Sequence, residues 1–346
     1  MLKRLETQKD IADYHGTEDR LFSATHDEII AGWTTDIYFL KTRDVLKAAG
    51  LLETPVVAEV FARKGGMFVG SEEVIRLFKT FPKVPQVETL REGSKFAAKE
   101  VLMRITGTYE SFGTYETVLL GMLASSTGWA TAASECVEAA EGRSVLCFGA
   151  RHVHPAVAPV MERAAKVAGC SAMSCILAAK LCGEEPKGTV PHAAVLLMGD
   201  TVKLAKFYDE FIPAEEPRTI LVDTFKDEAE ETIRVAEALG DRLASIRLDT
   251  PGERGGVTPE LIREIRWRLD CAGYPNVKIV ATGGLTPERI RILNEAGADV
   301  YGVGSYITQG TPRDMTMDIK MVDGKPVAKR GRLPGIVPNP RLERVL

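Results

Sequence analysis

The sequence has 346 residues, a length that suits two domains or one α/β barrel with an appended domain better than a solenoid or a single helical bundle. With 45% hydrophobic and 27% charged residues it has the composition of a globular protein with a substantial core, which excludes extensive disorder. Its 44 basic and 48 acidic residues give a formal net charge of −4, so it lacks the positive field of a protein whose main partner is nucleic acid.

Neither membrane insertion nor secretion is indicated. Apolar runs such as 118–124 and 193–198 are far shorter than the ~20 residues that a membrane-spanning helix needs. The N-terminus is charged and unlike a signal peptide, so we expect a cytoplasmic protein with no membrane partner. The 6 cysteines include no Cys-x-x-Cys pair, and we expect buried thiols instead of disulfides or a zinc module.

The N-terminal part of the chain mixes short β-rich stretches with loops. Residues 56–61 and 101–106 predict strands, and the glycines and prolines between them indicate turns. Apolar residues that recur at helical spacing predict a helix over 115–125. We therefore predict an α+β domain over residues 1–110, with the proline-rich tail 311–346 packed back on it.

From residue 144 onward, short apolar strands alternate with amphipathic helices. The predicted strands are 145–148, 219–222, 244–248, 277–280 and 299–303. The predicted helices start near 155 or span 226–239, 259–270 and 287–296. Thr258 and Thr286 stand directly before prolines, the pattern of an N-cap followed by a helical first turn. This alternation predicts a parallel sheet covered by helices, and we place an α/β barrel over residues 111–310.

A barrel is favoured over an open doubly wound sheet because polar groups follow the strands at their carboxyl ends. In a barrel these ends meet at one mouth, where such groups can act together. The groups, in chain order, are Gly149-Ala150-Arg151, Asp223-Thr224, Arg247-Leu248-Asp249, Gly283-Gly284 and Gly304-Ser305.

Two glycine-rich turns follow consecutive late strands of this series. Glycine lets backbone N–H groups approach a phosphate closely, and a helix N-terminus adds partial positive charge. The turns therefore predict a phosphate site at Gly283, Gly284, Gly304 and Ser305. The alternative is two tight turns that hold no ligand.

Arg247 and Asp249 lie on one face of a predicted strand, because side chains alternate along a strand with a period of two. Together they suit an anion and either a ribose hydroxyl or a metal-bound water, or else they neutralise each other as an ion pair. Asp223 supplies a second carboxylate from a neighbouring strand. Such oxygen ligands suit Mg²⁺ that a phosphate ester brings in, and we predict no separate metal site.

Three further side chains are candidates that each have an ordinary structural alternative. His192 starts an apolar helix after a proline, which suits a base or nucleophile or else a structural histidine. Arg151 follows a strand and suits paired donation to a carboxylate or else a surface salt bridge. Tyr38 suits stacking on a flat ring or else simple packing.

Six features in order resemble the nicotinate phosphoribosyltransferases, most of all their compact archaeal-type members. The resemblance runs from about residue 25 to residue 335. The features are Thr35-Asp36-Ile37-Tyr38-Phe39, Gly107 with Tyr115-Glu116-Thr117, Phe148-Gly149-Ala150-Arg151, Gly188-Thr189-Val190-Pro191-His192, Arg247-Leu248-Asp249-Thr250, and the glycine turns at 283–284 and 302–304.

This resemblance implies a type II phosphoribosyltransferase fold. The fold would be an irregular α/β (TIM-like) barrel with an N-terminal α+β domain that the C-terminal tail partly completes. The implied reaction transfers phosphoribosyl from PRPP to nicotinate, giving nicotinate mononucleotide and pyrophosphate in NAD salvage. ATP would be a co-substrate, Mg²⁺ would arrive with PRPP or ATP, and the protein would be a homodimer or higher homo-oligomer.

The resemblance also implies roles for individual residues. His192 would be phosphorylated transiently, and Asp223 and Asp249 would complete the catalytic set. Tyr38 would stack on the pyridine ring across a dimer interface, and the glycine turns would hold the 5′-phosphate. The other substrate-binding residues would be Arg151, His152, Thr189 and Arg247. Position 152, often a second arginine in the compact archaeal members, is histidine here.

Other functions fit parts of the same pattern. A related enzyme could use nicotinamide or quinolinate, although a dicarboxylate calls for a richer Arg/Lys cluster and needs no phosphohistidine. A non-catalytic phosphosugar-binding barrel would use the glycine turns alone. An isomerase or aldolase barrel would need a lysine or a Glu/His pair at the strand ends named above, which carry neither. No cysteine follows Cys271, so we expect no structural zinc.

Overall fold

The computed structural model describes residues 4–11 and 20–346, which belong to two compact units. Unit 1 consists of Met1–Thr131 and Thr311–Leu346, and unit 2 consists of Ala132–Gly310. The sequence predicted the first boundary at residue 110, whereas one long helix continues through the junction at residue 131.

The α-helices of the described residues are numbered in chain order. They are α1 (His26–Ile30), α2 (Ile37–Ala48), α3 (Ser71–Phe78), α4 (Tyr109–Phe112), α5 (Glu116–Ala139), α6 (Ala158–Val167), α7 (Ile176–Leu181), α8 (His192–Met198), α9 (Thr201–Phe211), α10 (Glu228–Leu239), α11 (Pro259–Cys271), α12 (Pro287–Ala296) and α13 (Ser305–Thr308). None of these helices is long and apolar enough to cross a membrane.

The strands of the described residues are numbered in the same way. They are β1 (Pro55–Ala62), β2 (Gly66–Met67), β3 (Gln86–Thr89), β4 (Lys95–Phe96), β5 (Val101–Thr108), β6 (Ser144–Cys147), β7 (Ala172–Met173), β8 (Arg218–Leu221), β9 (Leu243–Leu248), β10 (Lys278–Ala281), β11 (Val300–Val303), β12 (Met315–Val322), β13 (Lys325–Pro326) and β14 (Glu343–Arg344).

Unit 1 is built on an antiparallel sheet of order β13-β12-β1-β5-β3-β14. The strands β12, β13 and β14 come from the C-terminal tail, so the tail adds strands to both sides of the N-terminal sheet. This confirms the expectation that the tail completes the N-terminal domain.

A buried ion pair fastens the tail to this sheet. Glu59 on β1 is only 1% exposed and accepts from Arg104 Nε at 3.0 Å and from the Val337 backbone N–H at 3.1 Å. Arg104 also donates to the Val337 carbonyl at 2.9 Å and to Glu88 at 3.0 Å. Both the backbone N–H and the backbone carbonyl of Val337 therefore bind the tail to this sheet.

Glu59→Gln is expected to lower the free energy of unfolding by about 2 to 3 kcal/mol, because the largely buried Arg104 guanidinium then faces one carboxylate, that of the more exposed Glu88, instead of two. Urea unfolding measures the change. Glu72→Gln on α3 is the control, since Glu72 is exposed and its i,i+4 partner Arg76 lies 3.8 Å away, so that change is expected to stay within about 0.5 kcal/mol. Equal losses of unfolding free energy in both variants would contradict the conclusion that Glu59 stabilises the fold through Arg104 and Val337.

Unit 2 is built on a parallel sheet of order β7-β6-β11-β10-β9-β8. The strands β8 to β11 are neighbours in chain order, and β11 then pairs with β6, the first strand of the unit. This is the strand order of a barrel that is open between β7 and β8, where α7, α8 and α9 make the connection. The expected irregular α/β barrel is confirmed, in a curled and incompletely closed form.

Local sequence accounts for most elements of unit 2. Thr258 and Thr286 accept from the backbone N–H groups of Leu261 and Arg289 at 3.2 and 3.3 Å, which confirms both predicted N-caps. Helix α12 has the predicted bounds, and the five predicted strands are found with ends that differ by a residue or two. The helix predicted over 115–125 continues to Ala139 as α5, because small side chains such as Ala133 pack in the core there.

Candidate active site

Arg247, at the end of β9, holds together three segments of unit 2. Its guanidinium donates to Thr282 Oγ1 at 3.1 Å, to Thr189 Oγ1 at 2.9 Å and to Asp249 Oδ2 at 3.0 Å. Its charge also lies 5.6 Å from the centre of the Phe148 ring, within the range of a cation–π contact. The carboxyl ends of parallel strands therefore converge here, as the sequence predicted.

Asp249 connects this arginine to the first glycine turn. Its Oδ1 accepts from Thr282 Oγ1 at 2.8 Å, and a Cβ on Gly283 would lie 3.2 Å from the same oxygen. Gly283 and Gly284 have φ values of +89° and +60°, a region that favours glycine. The backbone of this turn favours glycine at both positions. The absence of a side chain on Gly283 also lets the turn lie close to Asp249.

A second pair of predicted residues meets beside the opening of the sheet. His192, the first residue of α8, lies with Nε2 2.9 Å from Asp223 Oδ2, just after β8. The Asp223 side chain is fully buried, whereas the imidazole is 39% exposed. A buried carboxylate thus orients a ring whose other nitrogen, Nδ1, is available to a reacting group.

The environment of Asp223 favours a functional interpretation of this pair. Its pKa is raised above the ordinary value, first by burial and to a smaller extent by the charge of Asp249, while the hydrogen bond from His192 counteracts the rise. Its second oxygen, Oδ1, is buried without a protein hydrogen-bond partner. A buried acceptor without a partner is costly, and such groups are common at sites that bind ligands or water.

Arg151 and His152 form a third group with Ser305. Arg151 Nε donates to His152 Nε2 at 3.2 Å, and His152 Nδ1 lies 3.0 Å from Ser305 Oγ. Gly304 is in close contact here, since a Cβ on it would lie 3.0 Å from the Phe148 carbonyl oxygen. The predicted carboxylate-binding and phosphate-binding residues are therefore joined through one imidazole.

Tyr38 belongs to unit 1, where it lies on the first turn of α2 and is 54% exposed. Its pKa is raised, first by partial burial and then by the negative charges of Glu116 and Asp36. The pKa of Glu116, the first residue of α5, is itself raised to about 7, mainly by burial and further by Asp318. Glu116 was predicted only as part of a motif, and its burial in the fold is what distinguishes it.

The raised pKa of Glu116 predicts a pH-dependent stability. A carboxyl group that binds its proton more tightly in the folded chain stabilises the fold while protonated, and this contribution is lost as pH rises from about 4.5 to about 7. After allowance for solvent screening, we expect the wild type to lose about 1 to 2 kcal/mol more between pH 5 and pH 8 than Glu116→Gln. Urea unfolding at both pH values tests this, and parallel losses in the two proteins would contradict it.

Two residues of the site had no assigned role in the sequence analysis. Thr282 stands directly before the glycine turn and contacts both Arg247 and Asp249, and Phe148 lies under the Arg247 guanidinium. Their places at strand ends were visible in the sequence. Their partners lie on other strands, and no local signal could identify them.

No group of three or more His, Cys, Asp or Glu side chains that could hold a metal ion occurs in residues 4–11 and 20–346. Asp249 and Asp223 are the acidic side chains that the site offers to a cation. Each has an oxygen engaged by a protein donor, so they suit a shared role with the oxygens of a phosphorylated substrate better than a complete ligand set.

Family models match most of the chain. The model for the quinolinate phosphoribosyl transferase N-terminal domain matches residues 36–127, and the model for the C-terminal domain of the same family matches residues 129–318.

Among curated relatives, nicotinate phosphoribosyltransferases pncB1 and pncB2 of Mycobacterium tuberculosis (strain ATCC 25618 / H37Rv) are each 30% identical to this chain. The matches cover 74% and 84% of this chain but only 58% and 65% of the relatives. The chain thus spans less than two thirds of their length.

Solved structures show the same fold. The crystal structure of nicotinate-nucleotide pyrophosphorylase from Pyrococcus furiosus has a TM-score of 0.87 and 44% identity, over 92% of this chain and 82% of that one. Human nicotinic acid phosphoribosyltransferase has a TM-score of 0.71 at 19% identity, over 87% and 77% of the two chains, and supports the fold alone.

Proposed function

The chain belongs to the quinolinate phosphoribosyl transferase family, a family of type II phosphoribosyltransferases, and from this membership we propose that it transfers phosphoribosyl from PRPP to a pyridine carboxylate. The products would be nicotinate mononucleotide and pyrophosphate. The relatives support this proposal, because the names of the M. tuberculosis and P. furiosus proteins both refer to nicotinate or its nucleotide.

The observation that carries the proposal is the arrangement around Arg247. The reaction develops positive charge on the ribose and negative charge on the departing pyrophosphate, so fixed charges and positioning matter more than a strong nucleophile. Arg247 would hold an anionic group of a substrate, and Asp249 would face the ribose. The turn at Gly283 and Gly284 would present backbone N–H groups to the 5′-phosphate.

Mg²⁺ would enter with PRPP and neutralise charge on the pyrophosphate as it leaves. Asp249 is the side chain that would contribute an oxygen to it, since each carboxylate oxygen retains a lone pair beyond the bond that it accepts. We also propose that the pyridine ring stacks on Tyr38. The protein would be a homodimer or higher homo-oligomer in the cytoplasm.

Quinolinate is the base that the comparisons support better. The matched family models are described by that substrate, and they cover both units of the chain. Turnover of quinolinate must release one carboxyl group as CO₂, since its product is the nucleotide of a monocarboxylate. This release gives an assay that no other base would satisfy.

Nicotinate with ATP is the second candidate, and the His192–Asp223 pair favours it. Asp223 accepts from Nε2, which leaves the lone pair of Nδ1 free to attack the γ-phosphorus of ATP. The bond from that phosphorus to the bridging oxygen breaks, ADP leaves, and the buried carboxylate stabilises the positive ring. A transient phosphohistidine near the PRPP site would couple ATP hydrolysis to transfer.

Incubation of the purified protein with PRPP, Mg²⁺ and one base at a time distinguishes these candidates. Quinolinate, nicotinate and nicotinamide are each tested with and without ATP, and nucleotide, pyrophosphate and CO₂ are measured. CO₂ release without an effect of ATP assigns quinolinate, and nicotinate turnover that ATP stimulates assigns the second candidate. Turnover of nicotinamide alone, or PRPP binding without any transfer, would contradict the proposal.

A further inference from the structure

His152 lies between two groups that both bind anions in the proposed function. Arg151 contacts one ring nitrogen at 3.2 Å and Ser305 contacts the other at 3.0 Å. Arg151 and His152 lie in the short 3₁₀ turn Ala150–His152, which follows β6. Ser305 is the first residue of α13, which follows the neighbouring strand β11. One imidazole therefore contacts both a predicted carboxylate-binding residue and a predicted phosphate-binding residue.

The proton on this imidazole can be placed by counting donors. A guanidinium has only donors, so Nε2 must accept from Arg151 and carries no proton. A neutral ring then has its proton on Nδ1 and donates it to Ser305 Oγ. Ser305 accepts this bond, and its own hydroxyl proton remains free to donate elsewhere.

We propose that neutral His152, with its proton on Nδ1, is a positioning residue that orients Arg151 toward the substrate carboxylate and turns the Ser305 hydroxyl toward a phosphate. This inference rests on the proposed function, because it assumes that Arg151 binds the carboxylate of a pyridine base and that Ser305 binds a phosphate of the phosphoribosyl donor. An arginine at position 152 could not accept from Arg151, so histidine gives this chain a contact that a second arginine would exclude.

Protonation would disrupt the arrangement. His152 with a proton on both nitrogens cannot accept from Arg151, and two adjacent positive charges repel. Tyr306, the residue after Ser305 on α13, donates its hydroxyl to Glu135 at 2.5 Å and so has a different partner. The contact between Arg151 and His152 Nε2 therefore requires the neutral ring.

Three variants test the inference on the base that the protein turns over. His152→Ala removes both contacts and is expected to raise KM for the base about tenfold while changing kcat less than about twofold. His152→Gln can accept from Arg151 and donate to Ser305, and it should recover most of the loss in KM. His154→Ala is the matched control, since the ring of His154 accepts from the Ala156 backbone N–H in its own turn.

Long-range ¹H–¹⁵N spectra of the histidine rings test the same inference without turnover. His152→Gln identifies the signal among the 5 histidines. We expect the Nδ1-protonated form in the wild type and a shift toward the Nε2-protonated form in Arg151→Ala. If no pyridine base is turned over, the proposed function fails, and these spectra alone support or overturn the placement of the proton.

Three results would overturn the inference. They are an unchanged KM in His152→Ala, a KM in His152→Gln as high as that in His152→Ala, and an Nε2-protonated ring in the wild type.

Discussion

Arg247→Ala is expected to lower kcat/KM for phosphoribosyl transfer by about 100- to 1,000-fold, the largest effect of any single change in the site. The guanidinium bonds to Thr189, Asp249 and Thr282, so its loss removes an anion-binding charge and releases the carboxylate that would face the ribose. Initial rates at varied PRPP and base, with the base identified by the substrate assay, measure the loss.

Two further variants make this result interpretable. Arg247→Lys keeps the charge but loses the planar fork, so it should recover only part of the activity. Arg268→Ala removes an exposed arginine that pairs with Glu264 on the same helix, and it should remain within about twofold of the wild type. Activity of Arg247→Ala within tenfold of the wild type, with its fold intact by thermal unfolding, would place the transfer site elsewhere.

His192→Ala is expected to abolish any stimulation by ATP while phosphoribosyl transfer without ATP continues. The imidazole is partly exposed, so its removal opens no cavity in the core, and the groups around Arg247 keep their contacts. Incorporation of label from γ-labelled ATP into the protein should disappear completely. Measurement of both the label and the ATP-dependent rate separates this effect from a general loss of activity.

Asp223→Asn refines the same test. An amide cannot stabilise the positive ring that forms when Nδ1 is phosphorylated, so the rate of labelling should fall by about 100-fold while His192 remains. His154→Ala should label as the wild type does. If the wild type never takes up label and ATP never changes its rate, His192 is not a phosphate acceptor, and quinolinate, the first candidate, gains support.

The sequence identified much of unit 2 because the signals there are local. The apolar runs of β6 and β8 to β11 are bounded by turns, and the N-caps of α11 and α12 depend only on Thr258, Thr286 and the residues that follow them. Glycines with positive φ at 283 and 284 are similarly a property of one turn. These features do not depend on which strand lies next to which.

Unit 1 was predicted less completely. Its strands β1 and β5 were indicated, but the helices α2 and α3 were not, although the buried residues Val74, Leu77 and Phe78 of α3 have helical spacing. The pairing of the tail strand β14 with β3 joins residues that are far apart in the sequence. The burial of Glu59 under that tail follows from this pairing and from nothing in its own neighbourhood.

The sequence by itself determined which residues end the strands and start the helices, and therefore which side chains were candidates. Only the tertiary structure decided their partners. Arg247 meets Thr189 across 58 positions and His192 meets Asp223 across 31, because the curl of the parallel sheet brings together the ends of β8, β9 and β10 and the connection from β7. Burial of Asp223 and the contact between His152 and Ser305 also depend on distant neighbours. The order and curvature of the strands bring these neighbours together, and a local pattern of residues does not.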